Sequence, residues 1–114
     1  MKDDGVYLKH ILDAIEKIEA YTAVGHEAFI AAPYWQDAVI RQLEIVGEAT
    51  KRISTDRRTQ YPEAPWRRIA GLRDVLIHDY MGVDISAVWE ITQQNIPALK
   101  QSVRLMLSDM GFAA

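Results

Sequence analysis

The sequence has no cysteine, no long uncharged apolar run, and no alternation of apolar and polar residues with a period of two. The absence of cysteine excludes a disulfide framework and any thiolate metal site, and it fits a reducing cytoplasm. The N-terminal stretch MKDDGVYLKHILDAIEK carries charges among its apolar positions, so it is neither a signal peptide nor a membrane span. These absences favour a cytoplasmic protein that does not enter the membrane.

Signatures of several enzyme classes are also missing. There is no glycine-rich phosphate loop, no G-x-S-x-G nucleophile motif, no H-E-x-x-H zinc motif and no deaminase signature. No acidic or histidine neighbour gives His10 or His26 the spacing of metal ligands, so both are predicted to be surface residues. The sequence therefore predicts no metal and no cofactor.

What is present is a globular composition with a helical pattern. With 114 residues, of which 49% are hydrophobic and 25% charged, the chain is predicted to be one domain, residues 1–114, with a single core. Apolar residues recur at steps of three and four from Val6 to Tyr21, as the buried face of one helix requires. Gly25 interrupts that pattern.

Further helices follow along the chain. The expected elements are a short turn of helix at Glu27–Ala31, a helix at Tyr34–Ile53, a loop at Ser54–Ala64, a helix from Trp66 to about Tyr80–Gly82, and a helical stretch from Asp84 to Met110. In this scheme Pro65 takes the first helical position, Asp84 is an N-cap, and Pro97 kinks or restarts the last helix. The residues expected to be buried in the second long helix are Trp35, Ala38, Val39, Leu43, Val46 and Ala49. The fold class predicted is an all-α bundle of four to five helices.

Basic residues are concentrated in one segment. Seven of the thirteen lie between Lys51 and Arg73, with only two acids, although the net charge of the chain is −3. A basic segment on an acidic body is a candidate phosphate-binding surface, but it is equally compatible with a solvated loop that has no partner. The RNA-binding residues expected within this segment are Arg57, Arg58, Arg67 and Arg68.

The stretch RDVLIHDY, residues 73–80, brings together side chains that can handle phosphate and protons. His78 can both take and give a proton near neutral pH, and Arg73 offers a planar fork that fits a phosphate. Asp74 could fix the imidazole tautomer, while Tyr80 supplies a hydroxyl group and a ring. With these groups a base can remove a 2′-hydroxyl proton of RNA, and an arginine can stabilise the charge that develops at phosphorus.

The spacing of the pair raises a geometric problem. Five residues advance an α-helix by about 500°, so Arg73 and His78 stand roughly 140° apart. Either the helix ends near His78, or a second copy completes the site, and we favour both together. In a dimer, two copies of His78 could act as base and acid. A histidine at a helix C-terminus is also compatible with a purely structural role.

Two further kinds of residue have alternative interpretations. Glu48 lies in an apolar helix, where it is either a partner for Arg73 or an acid facing the substrate, or else an ordinary surface glutamate. Trp35, Trp66 and Trp89 are expected in the core or at an interface. Trp66 stands beside Arg67 and Arg68, so stacking on a base is the alternative for that residue.

The segment from Pro65 to Leu99 resembles the HEPN superfamily (higher eukaryote and prokaryote nucleotide-binding), specifically the HepT toxins of MntA–HepT pairs. The R-x4-H-x-Y signature falls on Arg73, His78 and Tyr80, and Gly47, Glu48 and Ala49 resemble the Gly-Glu-Ala of the second long helix of the family. The resemblance implies a homodimeric, metal-independent ribonuclease toxin that is checked by an MntA-like nucleotidyltransferase antitoxin. It also implies that Tyr80 can carry AMP added by that antitoxin. The alternative is a non-catalytic helical module that binds nucleotide or the nucleotidyltransferase.

Overall fold

The computed structural model describes residues 3–78 and 84–112, and for residues 73–75, 77 and 78 it describes the backbone only. Within these ranges every regular element is helical, which confirms the predicted all-α class. The elements are α1 Asp4–Thr22, α2 His26–Ala31, α3 Pro33–Arg52, α4 Thr55–Thr59, α5 Trp66–His78, α6 Ile85–Glu90, a π-helical turn at Ile91–Asn95, and α7 Ile96–Asp109. No helix in the described ranges is long and apolar enough to cross a membrane.

One hydrophobic core joins the long helices. Helix α3 packs against both α1 and α5, while α7 closes the core against α1. The fully buried side chains at its centre include Leu8, Ile11, Ile15, Phe29, Leu43, Ile69, Leu99 and Met106. Burial of each side chain of this size contributes roughly 1.5–3 kcal/mol, so this core outweighs the surface ion pairs in stabilising the fold.

The helix ends follow from short-range hydrogen bonds. The Asp3 side chain accepts from the backbone N–H of Gly5 at 3.0 Å and caps α1. Gly25 has a φ of 97°, a conformation that favours glycine, and it separates α1 from α2 as predicted. The Asp84 side chain accepts from the N–H of Ala87 at 3.2 Å, so the predicted N-cap of α6 is confirmed.

The C-terminal end of α7 is closed by a Schellman motif. Gly111 has a φ of 92°, and the N–H of Phe112 donates to the carbonyl of Leu107 at 2.9 Å. This turn places the Phe112 ring on the first turn of α1, where a Cβ at Gly5 would lie 2.8 Å from Phe112 Cε2. The Lys9 ammonium group lies 4.0 Å from the centroid of the same ring. Gly5 is therefore required for this close approach.

One sequence expectation about secondary structure needs correction. The segment Ser54–Ala64 is expected to be a loop, but it contains α4, whose first turn is capped by the Ser54 hydroxyl as it accepts from the N–H of Arg57 at 3.3 Å. Near Pro97 the helix restarts, as expected: α7 begins at Ile96, with Pro97 in its first turn. A π-helical turn precedes it, in which the N–H of Ile96 donates to the carbonyl of Ile91, and this turn accommodates a proline that has no N–H to donate.

Two expectations about burial also need correction. Val6 was placed on the buried face of α1, but it is 43% exposed, because it stands about 200° around the helix from Leu8. Trp35 and Ala38 are half-buried rather than buried. The Trp35 ring instead packs at the edge of the core against Tyr21, with the ring centroids 6.3 Å apart.

Candidate active site and basic groove

Helix α5 carries both residues of the expected catalytic pair. Its buried residues Trp66, Ile69, Leu72 and Leu76 define an inner face toward the core. On an α-helix, position 73 then lies roughly 50° from the centre of that face, and position 78 lies on the opposite side. The side chains of Arg73, Asp74 and His78 are not among those described, and Tyr80 lies outside the described residues.

The outer face of α5 carries positions 67, 71, 74 and 78, which follow one another at steps of three and four residues. Arg67 is exposed and Gly71 is half-buried. A Cβ added at Gly71 would meet no atom within 4 Å among the described residues. The stretch of helix from position 67 to position 78 is about 16 Å long.

Arg57, one of the four expected RNA-binding residues, takes part in a partly buried ion pair with Asp4. Its Nε lies 2.9 Å from Oδ2 of Asp4, whose side chain is only 8% exposed. Ser54 donates to the same carboxylate through its N–H at 3.1 Å and its hydroxyl at 2.9 Å. Burial raises the pKa of Asp4, but the hydrogen bonds from Ser54 and Arg57 outweigh it and hold the pKa below its ordinary value.

Arg58 and Arg67 meet in a groove between α4 and α5. This α4–α5 groove has a volume of about 520 Å³ and is lined by Thr55, Arg58, Thr59, Pro62, Trp66, Arg67 and Ala70. The Nε of Arg58 is buried, and it meets no hydrogen-bond acceptor in the part of the chain that the structure describes. No described residue that lines the groove is acidic. The groove is therefore positively charged at its edges.

The wall of the α4–α5 groove is fixed by Trp66 and Tyr61. Trp66 is 9% exposed, so its expected place in the core is confirmed, and its indole Nε1–H donates to the carbonyl of Tyr61 at 2.8 Å. The Tyr61 hydroxyl donates to Asp109 at 2.7 Å, and this bond to a carboxylate raises the pKa of Tyr61. Arg68 is exposed, and it lies about 100° around α5 from Arg67, away from the groove.

Glu48 lies in a second groove that sequence reasoning did not anticipate. This α1–α3 groove has a volume of about 480 Å³ and is lined by Tyr7, His10, Arg41, Glu44, Ile45, Glu48, Ala49 and Arg52. The Glu48 carboxylate is 42% exposed and lies 3.3 Å from the Arg52 guanidinium group. The groove is built across two helices that are distant in sequence, so spacing along one helix could not reveal it. The expected contact between Glu48 and Arg73 involves the Arg73 side chain, which is not among those that the structure describes.

The other histidines and the tryptophan at residue 89 serve packing. His10 and His26 are exposed, as expected. The His26 ring packs edge-on against Trp89 with the centroids 5.2 Å apart, and Phe29 packs on the same indole at 5.2 Å. Among the side chains that the structure describes, which exclude those of Asp74 and His78, no group of three or more His, Asp or Glu is arranged to hold a metal ion.

The helical core and the Arg-x4-His spacing on α5 define a helical protein of the HEPN-like class. The chain matches the ribonuclease HepT-like family over residues 11–106. It therefore belongs to the HepT-like ribonuclease family, as its resemblance to HepT toxins predicted.

Relatives from archaea and bacteria cover nearly the whole chain. A protein of Methanocaldococcus jannaschii named as a gamma-glutamylcyclotransferase and candidate RNase is 42% identical over 96% of this chain, which spans only half of that relative. A "Probable ribonuclease HepT" of Thermococcus cleftensis is 47% identical over 82% of this chain and 86% of its own length. A candidate RNase of Caldanaerobacter subterraneus is 40% identical, with 94% and 96% covered. No solved structure matches this chain significantly.

Proposed function

We propose that this chain is a metal-independent endoribonuclease that acts as a homodimeric toxin in the cytoplasm. The observation that carries the proposal is the Arg73-x4-His78 spacing on α5 in a chain that belongs to the HepT-like ribonuclease family. The basic segment between α4 and α5 supports an RNA substrate, because phosphate contacts supply most of the sequence-independent affinity for nucleic acids.

In the proposed reaction, His78 of one protomer removes the proton of an RNA 2′-hydroxyl group. The 2′-oxygen attacks the adjacent phosphorus, the bond from phosphorus to the 5′-oxygen breaks, and His78 of the partner subunit protonates that leaving oxygen. Arg73 binds the phosphate through two parallel hydrogen bonds and stabilises its developing charge. Asp74 orients the imidazole. The products are a 2′,3′-cyclic phosphate and a 5′-hydroxyl end.

A two-fold dimer explains how residues on opposite sides of α5 serve one site. The exposed face of α3 supports such a dimer, since its charges are complementary to those of a second, antiparallel copy. A two-fold axis beside Glu44 and Ile45 would place Arg41 opposite Glu48 of the partner subunit and Asp37 opposite Arg52 of the partner subunit. In this dimer the α1–α3 groove would lie at the interface.

Charge exchange tests this arrangement. Arg41→Glu should weaken the dimer, because it would face Glu48 of the partner subunit, and adding Glu48→Arg should restore it. Sedimentation of the two variants and the wild type measures the effect. A wild type that is monomeric at micromolar concentration and fully active would contradict the shared site.

The proposed regulation is covalent modification of Tyr80 by a nucleotidyltransferase antitoxin. The tyrosine hydroxyl would attack the α-phosphorus of ATP and release pyrophosphate, leaving an AMP group two residues after His78. That added phosphodiester would occupy Arg73, and the adenosine would block the cleft. The test is intact mass after incubation with the antitoxin, ATP and Mg²⁺. A mass increase that persists in Tyr80→Phe would show that another residue is modified.

The central experiment compares the wild type with His78→Ala on single-stranded RNA in excess chelator. The wild type should produce 2′,3′-cyclic phosphate ends, and it should leave DNA of the same sequence intact because DNA lacks the attacking hydroxyl group. The variant should be inactive while keeping its helical content. If the two proteins are equally inactive, and expression of either leaves growth unaffected, the non-catalytic binding module becomes the better explanation.

A further inference from the structure

We propose that the α4–α5 groove binds one unpaired nucleotide of the RNA substrate, a few nucleotides away from the phosphate that is cleaved. This inference rests on the proposed ribonuclease function, but it concerns a separate surface. Arg58 and Arg67 would bind the phosphate of that nucleotide, and the apolar wall of the groove would pack against its base.

The first support is the contrast between two adjacent arginines on α4. Arg57 has its charge neutralised by Asp4 at 2.9 Å. The Nε of Arg58 is buried and meets no acceptor among the described residues, so the charge of Arg58 is not neutralised there. Because that Nε is shielded from solvent, a phosphate in the α4–α5 groove would be bound through the terminal nitrogens of the Arg58 guanidinium group.

The second support is the shape and lining of the groove. Its volume of about 520 Å³ is in the range of small-ligand sites. Pro62, Ala70 and the edge of Trp66 form an apolar wall, while Arg58 and Arg67 provide positive charge. A planar base that carries a phosphate matches this combination, since bases pack on apolar and aromatic surfaces while arginine recognises phosphate.

The third support is the path from the groove to the catalytic position. Arg67 lines the groove and also stands on the outer face of α5, on the same stripe as Gly71 and position 78. Because Gly71 has no side chain, it adds no bulk to the stripe between Arg67 and position 78, and an RNA strand would follow that stripe from the groove. A nucleotide in the groove would therefore hold the strand along the helix that carries His78.

Binding of an uncleavable RNA tests the proposal directly. The probe is a single-stranded oligonucleotide with 2′-O-methyl groups, which lacks the attacking hydroxyl group. Arg58→Ala and Arg67→Ala should each raise the dissociation constant about tenfold, and the double variant should reduce the salt slope by about 0.7 for the one phosphate contact that is lost. Arg104→Ala is the matched control, because Arg104 is an exposed arginine on α7 and its loss changes the net charge equally.

Spectroscopy locates the nucleotide without removing any side chain. The three tryptophans, Trp35, Trp66 and Trp89, give separate indole N–H resonances. Addition of the same oligonucleotide should shift the Trp66 resonance while those of Trp35 and Trp89 stay in place. With cleavable RNA, Arg67→Ala should raise KM and leave kcat at saturating RNA unchanged, since the groove lies apart from the reacting atoms.

The outcomes separate this inference from the proposed function. If the wild type cleaves RNA but Arg58→Ala and Arg67→Ala bind the probe as tightly as Arg104→Ala does, the groove proposal is wrong and the nuclease stands. If the probe shifts Trp66 and the arginine variants bind weakly, but no RNA is cleaved, the groove is a nucleotide site on a protein that is not a nuclease. An unshifted Trp66 resonance at saturating probe would overturn the groove proposal.

Discussion

The short helix α4 supplies an arginine to the ion pair with α1 and another arginine to the α4–α5 groove. The two arginines differ in what surrounds them. Arg57 packs its guanidinium group against a carboxylate that is 8% exposed and is further bonded by Ser54. Arg58, the next residue, lines an open groove that contains no described acid. One successive step on a helix rotates a side chain by about 100°, and this rotation separates a structural arginine from one available to a ligand.

This contrast divides the basic segment into parts with different roles. In sequence, Arg57, Arg58, Arg67 and Arg68 are equivalent charges near one another. In the fold, Arg57 stabilises the contact between α1 and α4, Arg58 and Arg67 share a groove, and Arg68 projects elsewhere on α5. A cluster of like charges in sequence therefore does not by itself define one binding surface.

The largest expected effect is a loss of kcat at the catalytic position that has no counterpart in the groove. Arg73→Lys keeps the charge but loses the bidentate geometry, so we expect kcat to fall by about 100-fold or more. Arg67→Lys, in the groove, should leave kcat unchanged. Single-turnover cleavage at saturating RNA measures both variants. Equal losses in the two would mean that the groove and the catalytic site are not distinct.

The next largest effect is a difference in the free energy of unfolding between a variant of the ion pair and a variant of the groove. Asp4→Ala removes the acceptor for Arg57 and for both Ser54 donors, so the free energy of unfolding should fall by roughly 2–3 kcal/mol. This figure is lower than for a fully buried ion pair, because Arg57 is partly exposed. Arg58→Ala removes a buried donor that has no acceptor among the described residues, so the relieved desolvation should offset the lost side-chain packing and the net effect should stay within about 0.5 kcal/mol. Urea unfolding of both variants measures the difference. A larger loss in Arg58→Ala would show that this arginine also serves the fold.

A smaller effect follows from the titration of Asp4. Its pKa is lower in the folded chain than its ordinary value of 3.8, so the ionised carboxylate stabilises the fold at higher pH. That contribution is lost as the pH falls below 3.8 and through the lower folded pKa. Thermal unfolding of the wild type and Asp4→Asn should therefore differ most near neutral pH and converge in acid. A constant difference across this range would exclude titration of Asp4 as its source.

The smallest expected effect compares two helical glycines. Gly71→Ala should stabilise the fold by roughly 0.5–1 kcal/mol, because its new methyl group meets no described atom within 4 Å and alanine favours a helix. Gly5→Ala should destabilise it, since the methyl group would lie 2.8 Å from Phe112. The melting temperatures of the two variants, compared with the wild type, measure whether each change stabilises or destabilises the fold. A gain in stability for Gly71→Ala accompanied by weaker RNA binding would show that the RNA strand passes close to the backbone at Gly71.

The helical class and most element boundaries were predictable from the sequence, because they depend on local periods and end signals. The three- and four-residue recurrence placed α1 and α3, Gly25 marked the break between helices, and Asp84 marked the start of α6. Helix α4 was missed because five residues are too few to display a period. Its first turn is capped by the hydrogen bond from the N–H of Arg57 to the Ser54 hydroxyl.

The candidate site also has features that follow from residue order and features that follow from helix packing. Sequence by itself determined the Arg73-x4-His78-x-Tyr80 motif, the family it indicates, and the excess of basic residues near it, because these are properties of residue order. Only the tertiary structure decided which arginine meets Asp4, which two line the α4–α5 groove, and that Glu48 belongs to a groove shared by α1 and α3. Contacts between residues some fifty positions apart depend on how the helices pack, and residue spacing carries no record of that packing.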